Sequence, residues 1–154
     1  MPEVTTLVPT SPENVFAVLA DGWSYVGWVV GATHIRAVDD GWPQVGTRIH
    51  HSLGAWPATV NDVTIVRAVE PQRMLELEAR LWPFGTALVR LELTEKQPDV
   101  TEVRMSERVI RGPGRLLPNA AQALLLVPRN RESLRRLCDR ARGREQARQS
   151  GTSG

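Results

Sequence analysis

The chain has 154 residues, 42% of them hydrophobic, and a formal net charge of +2, which is the size and composition of one domain able to bury a core without disulfides or metals. Its single cysteine, Cys138, excludes an internal disulfide and points to a reducing compartment. The longest apolar stretch, near Ala123 to Pro128, is too short to span a membrane, and no N-terminal stretch combines a basic flank with a long apolar run, so a cytoplasmic location is expected.

Charge is segregated along the chain. From Arg111 onward ten arginines face three acidic residues, a net +7, whereas the preceding residues carry nine basic and fourteen acidic groups, a net −5. The basic segment lacks the interleaved aromatics of single-strand binders and any DNA-reading motif, so no nucleic-acid partner is expected and the arginines read as a solvated helix face.

Val4, Thr6 and Val8 alternate with polar or smaller residues as in a half-buried strand. Ser11 then suits a helix N-cap, Pro12 the first helical position, and Val15, Phe16, Val18 and Leu19 one apolar face. A second short helical or looped segment, from Asp21 to about Val30, concentrates Trp23, Tyr25 and Trp28 with Gly22, Gly27 and Gly31, in a chain with only eight aromatics. Gly31 is placed to end it. Aromatics of this kind suit a wall that is apolar inside and wet outside, and Trp28 reads either as core or as a surface against which a ligand stacks.

Beyond Gly31 the period changes to two. HIRAVDD, GTRIHHSLG, ATVNDVTIVRAVEP, RMLELEARL, TALVRLELTEK and TEVRMSERVI are six strand candidates separated by Gly- and Pro-containing turns. The short links leave no room for crossover helices, so the sheet is expected to be an antiparallel meander. From Pro118 to Gly143 apolar residues recur at three and four, with Leu124 and Leu134 expected to face the core and Pro128 expected to kink or break the helix. Residues 144–154 read as a disordered polar tail outside a single domain of residues 1–143.

The order and spacing of SPENVFAVLAD, YVGWVVG, WPQVGTRIHHSLG and RNRESLRRL resemble the START-like or Bet v 1-like superfamily, in particular the bacterial SRPBCC branch of polyketide cyclase/dehydrase-type proteins. The resemblance covers roughly Val4 to Gly143. It implies an α+β helix-grip fold, in which a curved seven-stranded antiparallel sheet wraps around a long C-terminal helix. Two short helices lie between the first two strands, and an apolar cavity separates sheet from helix.

Strand phase selects the polar residues such a cavity would hold. His51 shares a face with Ile49 and Leu53, while Arg48, His50 and Ser52 point the other way. On the last strand Glu107 falls on the face of Val103, Met105 and Val109, opposite Glu102, Arg104, Ser106 and Arg108. A carboxylate there is either a structural group paired with an Arg or a hydroxyl, or an acid-base or ligand-orienting group. The phase of Asp62 is ambiguous, because a β-bulge in its long strand would exchange the inward set. Neither a metal nor a cofactor is expected. His50 and His51 point to opposite faces, no Cys, His and carboxylate cluster has ligand spacing, and nucleotide-loop and hydrolase-elbow motifs are missing.

The expected function is binding of a hydrophobic or aromatic small molecule, with Trp28, His51, Met105, Glu107 and Leu124 as candidate contacts. The alternatives are a polyketide aromatase/cyclase or dehydratase, with Glu107 and His51 as its catalytic candidates, and a partner-binding regulatory module that uses the basic helix face.

Overall fold

A computed structural model describes residues 3–30, 32–53, 60–81 and 85–152. The first strand, β1 (Glu3–Val8), leads into α1 (Pro12–Ala20), a 3₁₀ turn (Gly22–Ser24) and the single-turn α2 (Tyr25–Trp28). Six strands follow: β2 (Ala32–Val38), β3 (Arg48–Leu53), β4 (Val60–Glu70), β5 (Met74–Leu81), β6 (Gly85–Gln97) and β7 (Val100–Arg111). A second 3₁₀ turn (Pro113–Leu116) precedes α3 (Asn119–Thr152). The strands form one sheet in the order β1-β7-β6-β5-β4-β3-β2, antiparallel throughout, so only the first strand leaves the meander order.

Local chemistry accounts for the early elements. The Ser11 hydroxyl caps α1 by accepting the Asn14 amide at 3.3 Å, and Pro12 occupies the first turn, where its missing N–H costs nothing. The Trp42 indole donates to the Leu19 carbonyl at the end of α1, at 3.1 Å. Of the clustered aromatics, Tyr25 and Trp28 are buried and Trp23 is exposed. Gly31, the expected terminator, lies outside the described residues.

The core lies between one face of the sheet and the helices. Ile49, Val66, Leu75, Leu77, Val89, Leu91, Val103 and Met105 supply the sheet side; Val15, Leu19, Trp28, Leu134, Leu137 and Ala141 supply the helical side. β4 settles the Asp62 ambiguity. Its register puts Ile49 opposite Thr64 and His51 opposite Asp62, and a bulge between Val66 and Ala68 then returns Val69 to the core side opposite Leu75. Ser106, read as solvent-facing, is instead buried on β7, which β1 and β6 flank.

The last helix departs from expectation, and the alternative of a break at Pro128 is overturned. α3 runs uninterrupted through Pro128, which is exposed; the amide it lacks would have bonded the carbonyl of Leu124, on the same watered face. Leu124 is 80% exposed. The inward positions are Gln122, Leu126, Asn130, Ser133, Leu134, Leu137 and Ala141, and Leu124 stands two residues, or about 200°, from Leu126 around the helix. The helix also continues past Gly143, so residues 144–152 are not a structureless tail. Glu145 accepts a hydrogen bond from Thr10 at 3.0 Å, and Asn14 donates both to Thr10 (3.0 Å) and to the Ala141 carbonyl (2.9 Å), fixing α1 to this end of α3.

Candidate functional site

Two polar clusters are buried inside the grip. The first joins β7 to α3. Glu107 is 1% exposed, and both its carboxylate oxygens accept from Arg129 Nη1, at 3.0 and 3.3 Å. Arg129 Nε donates to the Val30 carbonyl at 3.2 Å, and the Val30 amide donates to the Ser133 hydroxyl at 3.2 Å. One turn of α3 thus holds both backbone groups of the residue just beyond α2 and, through the same guanidinium, the carboxylate on the sheet. The Arg129 side chain is 24% exposed, so the pair reaches from the interior toward water.

The second cluster crosses β3 and β4. Thr64 Oγ lies 3.0 Å from the Tyr25 hydroxyl and 2.8 Å from His51 Nε2. With one proton and two lone pairs, the Thr64 hydroxyl joins Tyr25 and His51 in a buried hydrogen-bonded relay. The Tyr25 ring stacks on His51 at 5.4 Å and meets Trp28 edge-on at 5.6 Å. Burial lowers the His51 pKa against the opposing charge of Asp62, so the ring is neutral at neutral pH. Burial raises the Tyr25 pKa and keeps its hydroxyl protonated.

An apolar cavity of about 20 Å³ separates the aromatics from the ion pair, lined by Tyr25, Trp28, Val29, Leu77, Ala79, Val89, Met105, Glu107, Arg129 and Ser133. This volume accommodates about one water molecule, whereas pockets for drug-sized ligands span about 300–1,000 Å³. Side chains of the sheet and helices thus fill most of the space between them.

Of the residues expected at the site, Trp28, Met105 and Glu107 line this cavity. His51 is buried but stands behind Tyr25, outside the lining, and Leu124 faces water on the far side of α3. Tyr25, Thr64, Arg129 and Ser133 were not anticipated in these roles. Arg129 and Ser133 share the inner side of the helix with Leu126 and Leu137, at a spacing of three and four. Among the described residues no group of three or more His, Cys, Asp or Glu could hold a metal ion. His50 instead bonds Asp39 at 2.9 Å on the opposite face.

No protein-family model matches the sequence, and no curated protein matches it either. Solved structures do. A START superfamily protein from Mycobacterium smegmatis superposes with a TM-score of 0.67 at 14% identity, covering 92% of this chain and 96% of that one. The Zhui aromatase/cyclase from Streptomyces sp. R1128 gives 0.65 at 16% identity, covering 92% and 93%. The di-domain aromatase/cyclase StfQ of the steffimycin biosynthetic pathway gives 0.66 at 12% identity, covering 94% of this chain and 51% of that one. The chain has the helix-grip fold of these structures, a seven-stranded antiparallel sheet around a long C-terminal helix.

Proposed function

We propose that the protein binds a small hydrophobic or aromatic molecule between the sheet and α3. The observation that carries this reading is the Glu107–Arg129 pair on the wall of an otherwise apolar cavity. A closed core has little use for an ion pair whose desolvation offsets much of its attraction, whereas a binding site needs a few polar groups to orient an apolar guest. In this reading the ligand enlarges the cavity by opening the contact of Val30 with Arg129 and Ser133. Its ring lies against Trp28 and Met105, and a hydroxyl or carbonyl on it takes a hydrogen bond from Arg129.

A second reading draws on the similarity to two aromatase/cyclases and on the Tyr25–Thr64–His51 relay. Here the same cavity hosts a cyclisation or dehydration, with Glu107 or the relay moving the proton. Native mass spectrometry of the purified protein tests what both readings share. A retained apolar metabolite, released when the Val30 contact is weakened by Ser133→Ala, is the expected result. A protein that is empty from every expression host, and that takes up neither naphthol nor naphthoate, would overturn both.

A further inference from the structure

The first turns of α3 carry a feature that neither cavity nor core uses. The thirteen residues from Leu116 to Pro128 contain no charged side chain. Leu116 is 87% exposed, Leu124 80% and Leu125 44%. Pro118, Ala120 and Pro128 are exposed as well. Ala120, Leu124 and Pro128 follow one another at intervals of four, with Leu125 beside them, so they form a stripe along one side of the helix. Gln122 donates to the Leu117 carbonyl at 3.0 Å on the buried side, which fixes the preceding 3₁₀ turn against the helix and leaves Leu116 projecting outward. Exposed leucines gathered on a charge-free segment suit an interaction site.

Charge selects the occupant. Arg115 precedes the stripe and Arg131 follows it; both are exposed and neither has an ion-pair partner among the described residues. They belong to the segment from Arg111 onward with a net charge of +7. A second copy of the chain would bring two such segments together, whereas a surface of anionic lipid would attract them while its acyl region receives the leucines. No described helix is long and apolar enough to cross a membrane, so the contact is peripheral. We propose that the Leu116–Leu124–Leu125 face docks the protein onto anionic membrane surfaces. The docking does not depend on the cavity holding a ligand.

The test is co-sedimentation of the full chain with phosphatidylcholine vesicles, with and without phosphatidylglycerol. Binding is expected only to the anionic vesicles and should weaken as salt rises. Combined Leu116→Ser, Leu124→Ser and Leu125→Ser substitutions should lower the partition coefficient at least about tenfold while the protein stays folded, because Leu116 and Leu124 are largely in water and Leu125 is only partly covered. Arg115→Gln with Arg131→Gln should lower it by a smaller factor, about fivefold or more, through lost attraction alone. Failure to bind anionic vesicles would overturn the proposal, as would binding indifferent to the three leucines. A concentration-dependent dimer abolished by the same serine variant, without vesicle binding, would assign the face to a second copy and equally overturn it.

Discussion

The two halves of α3 invert the usual relation between residue type and position. Before Arg129 the helix is rich in leucine and alanine, yet of its leucines only Leu126 is deeply buried. From Arg129 onward the helix is rich in arginine, yet its inner side holds Leu134, Leu137 and Ala141 and bonds Glu107, Val30 and Asn14. What anchors the helix is therefore a thin inward stripe with polar contacts at its ends. A high apolar content alone does not show where a helix is held.

The largest expected effect separates these halves. Leu137→Ala, at a fully buried position, should lower unfolding stability by about 3 kcal/mol. Leu124→Ala should change it by less than about 0.5 kcal/mol, as expected of a surface substitution. Equal losses in denaturant unfolding would refute the assigned helix phase.

Glu107→Gln probes the polar end of the same stripe. It leaves the Arg129 guanidinium without its carboxylate, and because that side chain is partly watered the loss should be at the lower end for a broken buried pair, about 3 kcal/mol. If the pair instead serves only the ligand, stability will be retained while binding falls, so parallel unfolding and binding measurements apportion the two roles.

A smaller effect lies in the pH dependence. The folded-state pKa of His51 is depressed below its ordinary value of 6.5, so the unfolded chain binds a proton more readily than the folded one. The stability contributed by the neutral ring is fully present above about pH 6.5 and is lost as pH falls through the folded value. His51→Gln should flatten the stability profile in that acidic window, as followed by thermal unfolding across pH. A profile unchanged by the substitution would place the acid sensitivity elsewhere.

The seven strands were legible because period-two alternation is a local signal, and the same alternation put His51 and Glu107 inward. The β4 bulge was visible as two competing phases, and only pairing with β3 and β5 decides between them. The phase of α3 was not legible. Leu124, Leu125 and Leu126 are consecutive and point in three directions, and hydrophobicity does not say which is inside. Arg129 was hidden for the complementary reason. An arginine on a basic helix reads as solvated until the carboxylate it meets, on a strand twenty-two residues earlier, is placed beside it.

In the proposed function a small aromatic or hydrophobic molecule enters between Met105 on the sheet and Trp28 below α3. Met105 offers the most direct report, because it lines the cavity and its methyl group gives a resolved signal in methyl-labelled NMR spectra. Titration with naphthol and naphthoate should shift that methyl saturably, and Trp28→Phe should reduce the shift while the fold is retained. A Met105 methyl that stays unmoved at saturating probe, in a folded protein, would contradict ligand binding at this cavity.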